Sequence, residues 1–358
     1  MPQRNKLPPK KLVAVCICLL AAILIALAWI WSSFGYRSRR FECTNYAMGA
    51  YIQQTVYGKN AEAAAAAAAK GIGNLEDLIS WRIEGSDVQK LNENAGVDWM
   101  EIDPKTMAIL ELALDVAEKS GGAFDPTIQP ISALWDFGGD NQQVPDPALL
   151  QEFLPFVNYR DLRVDEKENS ASLKLHYMAI DLGAVGKGAA CTEAVSAYEK
   201  AGAEAGIISV GGSVGVFGTK ADGKPWSIAV RDPNSGDQKT AALGSLDLVS
   251  GYVSTSGSYE KQFTENGITY HHLLNPKTGY PEQNGLVSVT VVSSDGALSD
   301  ALSTACFVLG TKKGAELLEA YGAGGIFIDE NNTIYVTETI KEQFHLTSGS
   351  YTLSEALP

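Results

Sequence analysis

The stretch Ala179-Ile-Asp-Leu-Gly-Ala-Val-Gly-Lys-Gly-Ala-Ala190 sets the tightest constraint on how this chain can fold. It closes an apolar run (Leu173, Leu175, Tyr177, Ala179) that alternates as a strand does, and it opens into Ala- and Glu-rich sequence that predicts a helix to about Ala201. The turn between them holds Gly183, Gly186 and Gly188, with Asp181 before it and Lys187 inside it. Glycines at a strand-to-helix turn admit a ligand close to the backbone, and the N–H groups that open a helix favour an anion, so phosphate is the first expectation. The pattern is neither G-x-x-x-x-G-K-[ST] nor G-x-G-x-x-G, so no standard nucleotide loop is present. A turn whose glycines serve only to pack helix on strand is the alternative.

At 358 residues the chain can bury one large core or two smaller ones. Its net charge of -14, with no basic face, argues against nucleic acid as a partner. The cysteines at 16, 18, 43, 191 and 306 lack C-x-x-C spacing, so they predict neither a zinc site nor a disulfide framework. Residues 12–31 carry no charge and match the length a bilayer core requires. Arg4, Lys6, Lys10 and Lys11 precede this run and Arg37, Arg39 and Arg40 follow it, which predicts an anchor with its tail in the cytoplasm and the bulk of the chain exported. A cleaved signal peptide is the rival reading. The expected layout is a basic stub over 1–11, a transmembrane segment over 12–33, a linker over 34–44, one domain over 45–345 and a tail over 346–358.

Residues 51–57 alternate as a strand, and 61–80 predict a helix whose poly-alanine, 63–69, reads as a surface face. Asp103-Pro104 opens a second helix that Gly121-Gly122 closes. Asp125, before Pro126, has the sequence context of a turn cap. A short helix is expected at 146–154, strands at 214–217 and 226–231 joined through the Asp222-Gly223 turn pair, and a β-branched strand at 287–293. A helix follows from Ala297. Asp300 and Thr304 are four residues apart, so their oxygens share a helix face, and a carboxylate plus a hydroxyl with open positions suits Mg²⁺. The alternative is an aspartate that caps the helix and a threonine that bonds back to a carbonyl.

Read together, Met48-Gly49, Gly122-Ala123-Phe124-Asp125-Pro126, Asp181-Leu182-Gly183-Ala184-Val185-Gly186-Lys187-Gly188, Ser254-Thr255-Ser256-Gly257, His272-Leu273-Leu274-Asn275-Pro276-Lys277-Thr278-Gly279 and Asp300-Ala301-Leu302-Ser303-Thr304 resemble the ApbE family in order and spacing, over about residues 45–340. That family comprises the FAD:protein FMN transferases. The resemblance implies an α+β, T-fold-like architecture of mixed and antiparallel sheets with flanking helices, in two lobes around an FAD cleft. It implies a reaction in which FAD is split at its pyrophosphate, FMN is esterified to a Thr or Ser of an acceptor protein carrying an FMN-binding domain, and AMP leaves. Carried over by position, Asp300, Thr304 and the Ala184 carbonyl correspond to the Mg²⁺ ligands, while Lys187 and His272 correspond to catalytic groups that also contact FAD. Met48, Trp81, Ala123, Phe124, Asp125 and Asp181 match positions that hold FAD. Ser213, Ser258 and Ser303 depart from the family pattern, which has acids at or near these places. An FAD pyrophosphatase and a non-catalytic FAD-binding protein are the competing functions.

Overall fold

The computed structural model describes residues 19–27, 39–236 and 241–357. Residues 19–27 are helical (α1) and exposed, while the rest of the apolar run expected as an anchor lies outside the described residues. Among the described residues no helix is long and apolar enough to cross a membrane.

The domain is built on a nine-stranded sheet. In chain order its strands are β1 (Arg40–Ala47), β2 (Ala50–Tyr57), β6 (Ala205–Val210), β7 (Ser213–Phe217), β10 (Gly251–Gly257), β13 (Leu286–Ser293), β14 (Gly324–Asp329), β15 (Thr333–Val336) and β17 (Thr352–Leu353), and they lie side by side in that same order. Neighbours are antiparallel except β15 and β17. The sheet begins at Arg40 and ends at Leu353, so its outer strands take in residues expected as linker and tail.

Three smaller sheets accompany it: β3 (Met100–Glu101), β5 (Ser170–Leu173) and β4 (Leu162–Asp165); β8 (Trp226–Arg231), β9 (Ala242–Leu248) and β16 (Phe344–Leu346); and the hairpin β11 (Gln262–Glu265) with β12 (Ile268–His271). The helices are α2 (Ala61–Ile79), α3 (Asp87–Glu93), α4 (Pro104–Lys119), α5 (Gln129–Trp135), α6 (Pro147–Phe153), α7 (Gly183–Lys200) and α8 (Gly296–Ala320). Asp103 caps α4 by accepting from Lys105 N, with Pro104 in the first turn, as the sequence predicts.

Strand alternation gives the main sheet two buried faces. Phe327 of β14 and Val289 and Val291 of β13 point into a core shared with α2, α4, α7 and α8. Ile326 and Ile328 point the other way, into a second core with Trp226, Ile228, Val230, Leu246 and Phe344 of the β8–β9–β16 layer. A third, satellite cluster forms around Trp135, Ile131, Leu150 and Leu274, and Trp135 Nε1–H donates to the Gly279 carbonyl at 2.8 Å.

The structure departs from the sequence reading in several places. Within the poly-alanine run Ala64, Ala65 and Ala68 are buried while Ala63, Ala66 and Ala67 are exposed, so the run has a core face as well as the surface face expected of it. Small side chains there let α2 lie close against α7. The strand before the glycine stretch stops at Leu173; Leu175 and Tyr177 are exposed, and Tyr177 has φ +69°, which no strand residue adopts. Asp222-Gly223 makes a turn, with Gly223 at φ +80°, but β7 and β8 belong to different sheets and are not a hairpin. The helix from Gly296 runs to Ala320 with a break at Gly310 (φ 78°, ψ 173°), which divides it into two helical segments.

Candidate active site

Gly183, Gly186 and Gly188 lie in the first turns of α7 and not in a loop before it. A Cβ on Gly188 would stand 1.9 Å from the Gly296 carbonyl, and one on Gly296 would stand 2.2 Å from the Gly188 carbonyl. Each glycine is therefore required by the other, because two helices cross backbone to backbone at this point. Part of the glycine signal is thus a packing device, helix on helix. Gly186 makes room for Met48, whose Cε would lie 3.1 Å from an added Cβ. Met48 itself, at φ +57°, forms with Gly49 at φ +64° the two-residue turn between β1 and β2, and its N–H donates to Glu76 Oε1 at 2.7 Å.

The crossing positions Asp300. This buried carboxylate accepts from the Gly188 N–H through Oδ2 at 2.9 Å. In a regular helix that N–H faces the Ala184 carbonyl, so the carboxylate and that carbonyl are drawn to the same place at the start of α7. Asp300 is not the helix cap: Asp295 fills that role by accepting from Leu298 N at 2.8 Å. Nor does Thr304 bond back to a carbonyl. Its hydroxyl lies 3.2 Å from Ser256 Oγ of β10, and Ser303 makes the back-bond, donating to the Asp300 carbonyl at 2.8 Å. Asp300 Oδ1, the Thr304 hydroxyl and the Ala184 carbonyl are all oxygen donors, the chemistry a hard divalent cation selects.

Lys187 lies on the same first turns, its ammonium donating to the Gly183 carbonyl at 3.0 Å and its stem beside Gly211. Asp181 caps the turn, accepting from Gly183 N at 2.8 Å, and its own N–H donates to the Pro126 carbonyl at 2.9 Å. That bond ties the 123–127 turn to the head of α7. Within the turn, Ala123 and Phe124 are buried and Phe124 belongs to the main core. Asp125 is also buried. Its Oδ1 accepts from the N–H of Thr127 at 2.8 Å and from the Thr127 hydroxyl at 2.6 Å, and its Oδ2 accepts from Tyr159 N at 2.9 Å. Desolvation raises its pKa even against those bonds. Asp125 therefore braces the loop, and both its oxygens are occupied.

The two adjacent histidines differ. His271 is held at both nitrogens: Leu273 N–H donates to Nδ1 at 3.3 Å, so Nε2 carries the proton and donates to the Glu282 carbonyl at 3.0 Å. His272 Nδ1 is buried without a partner. Burial, then the positive charges of Lys261 and Lys187, push the His272 pKa down to about 3. It is a neutral base at physiological pH.

Two site residues escaped the sequence reading. Lys261 has its pKa lowered by burial and by the neighbouring charges of Lys187 and Arg82, while Asp181 acts the other way. The sequence signal for Lys261 was Asn266-Gly267, an Asn-Gly hairpin turn at φ +51° and +80°. It pairs Gln262 with His271, which sets Lys261 opposite His272; the His272 N–H donates to the Lys261 carbonyl at 3.0 Å. Arg82 stacks over Trp81, its guanidinium carbon 4.0 Å from the ring centroid. Lys187, Lys261, Arg82, Asp181 and His272 thus share one field, and Trp81 enters it through Arg82.

The model of the ApbE family matches residues 48–327. The chain belongs to the ApbE family. Among its relatives, the FAD:protein FMN transferase of Treponema pallidum is 30% identical over 95% of this chain and 97% of its own. The like-named protein of Klebsiella pneumoniae is 30% identical over 85% of this chain and 94% of its own. In three dimensions this ApbE chain is similar to the ApbE protein of Thermotoga maritima, with a TM-score of 0.79 and 32% identity over 85% of this chain and 99% of that one. The flavin transferase ApbE from Vibrio cholerae, at 22% identity and a TM-score of 0.77, shares the fold.

Proposed function

We propose that this chain is an FAD:protein FMN transferase acting on a Thr or Ser hydroxyl of an electron-transfer protein that carries an FMN-binding domain. One observation carries the reading. Asp300, one turn before Thr304, meets the first turns of the helix that bears Lys187, and Lys187 shares its field with Lys261, Arg82 and the neutral His272, whose Nδ1 is unpartnered.

The acceptor hydroxyl oxygen attacks the phosphorus on the FMN side of the pyrophosphate, the bridging P–O bond breaks, and AMP leaves with the bridging oxygen. His272, neutral because it is desolvated and flanked by cations, takes the hydroxyl proton. Lys187, with Lys261 and Arg82, offsets the phosphate charge. Asp300, Thr304 and the Ala184 carbonyl would hold Mg²⁺, which when bound acts as a Lewis acid on the pyrophosphate oxygens. Met48, Trp81, Ala123, Phe124 and Asp181 would hold the flavin and adenine parts of FAD, as the family resemblance implies. Asp125 supports them from behind by fixing the 123–127 turn.

The uncharged run at 12–31 supports placement as a single-pass membrane protein with its catalytic domain outside the cytoplasm. Retention of the full-length chain in the membrane fraction after carbonate washing, with protease access from outside, is the outcome expected.

The test of function is product analysis of FAD, Mg²⁺ and the enzyme, with and without a purified FMN-binding acceptor. AMP that forms only with the acceptor, in proportion to it and blocked by chelation, is expected. Free FMN and AMP in equal amounts without the acceptor would replace the reading with a pyrophosphatase, and intact FAD in both mixtures would leave a binding protein.

A further inference from the structure

Ser256 belongs to no role considered so far, yet counting its protons assigns it one. Ser303 Oγ lies 2.8 Å from the Asp300 carbonyl, which can only accept, so the Ser303 proton is committed there. Ser303 Oγ also lies 2.7 Å from Ser256 Oγ, and having no proton left it must accept. The single proton of Ser256 is thereby committed to Ser303. Ser256 Oγ then meets Thr304 Oγ1, 3.2 Å away, only as an acceptor, so Thr304 donates to it. The bonds run in one direction, from Thr304 to Ser256 to Ser303 to the carbonyl of Asp300. Ser256 and Ser303 are buried, so water does not compete for these positions.

We infer that Ser256 is a positioning residue: by taking the Thr304 proton it turns the hydroxyl lone pairs of Thr304 away from β10 and toward the space beside Asp300, where they can ligate a cation. The inference rests on the proposed Mg²⁺ site. It also gives Ser303 a part, as the acceptor that commits the Ser256 proton. Here the chain ends on the peptide carbonyl of Asp300, and a hydroxyl relay orients the neutral ligand.

The test is equilibrium binding of Mn²⁺, used as a spectroscopic stand-in for Mg²⁺ and followed by electron paramagnetic resonance, to the described domain within the full chain in detergent. Wild type, Asp300→Ala, Thr304→Ala, Ser256→Ala, Ser256→Thr and Ser256→Ala/Thr304→Ala are compared, with thermal unfolding of each to exclude loss of fold. Removing a group that orients a metal ligand weakens binding about tenfold or more. The expected result is such a loss for Ser256→Ala, recovery in Ser256→Thr, and no further loss from Ser256→Ala once Thr304 is alanine, because the two act through one bond. Unchanged Mn²⁺ affinity in Ser256→Ala while Asp300→Ala loses it would overturn the inference alone, as would an equal loss in the Thr304→Ala background. Mn²⁺ affinity unaffected by Asp300→Ala would overturn the metal site and the inference with it.

Discussion

Asp125 and Asp300 are both buried aspartates in family-like motifs, and they differ in what their oxygens have left to give. Asp125 has both oxygens occupied by Thr127 and Tyr159. Asp300 spends one oxygen on the Gly188 N–H and keeps the other open beside Thr304. The same contrast separates the neighbours His271, satisfied at both nitrogens, and His272, with Nδ1 unpartnered. Burial alone does not mark a functional group. Within these family-like motifs it is spare hydrogen-bonding capacity that separates the two members of each pair, because an unmet buried polar atom is costly unless a ligand or a reaction uses it.

The largest effect expected from breaking this contrast is at Asp300. Asp300→Ala should lower the transfer rate by about 1,000-fold, the scale of losing a group that stabilises charge in the transition state. FAD should still bind, as followed by its fluorescence. His272→Ala comes next, with a loss of about 100-fold or more in kcat. His271→Gln should instead lower the unfolding free energy by about 1–3 kcal/mol while the folded enzyme keeps its kcat, since one amide group cannot both donate to the Glu282 carbonyl and accept from the Leu273 N–H as the ring does. Asp125→Asn should do the same on a similar scale, read by denaturant unfolding, because an amide cannot accept at both of its ends.

How much of this was legible in the sequence depended on the range of the physics. Local signals held: the Asp103 cap and Pro104 placed α4, and the β-branched run placed β13. Asp300 and Thr304 share a helix face as the four-residue spacing requires. Packing was one of the two readings of the α7 glycines, but against a strand; the partner of Gly188, Gly296, is distant in sequence, so the crossing of two helices was out of reach. The buried face of the poly-alanine was out of reach because it depends on α7, which packs against α2 from far along the chain. Lys261 was within reach, since an Asn-Gly turn fixes hairpin register and so what stands opposite His272. Ser256 was not, because only β10 meeting α8 brings it to Thr304.

The smallest effect is on pH dependence. His272 has a folded pKa near 3 against the ordinary 6.5, so below 6.5 the unfolded chain binds a proton that the folded one refuses. Stability is therefore complete above pH 6.5 and declines as the pH falls toward 3. His272→Gln should flatten that part of the stability curve, measured by urea unfolding at stepped pH. A decline as steep as the wild type's would show that other groups set it.

The most direct measurement is the intact mass of the acceptor domain after incubation with FAD, Mg²⁺ and either wild-type enzyme, Asp300→Ala or Asp125→Asn, each at equal folded concentration. The account predicts an acceptor heavier by one FMN with wild type and with Asp125→Asn, and an unmodified acceptor with Asp300→Ala. Full modification by Asp300→Ala, or none by folded Asp125→Asn, would contradict it.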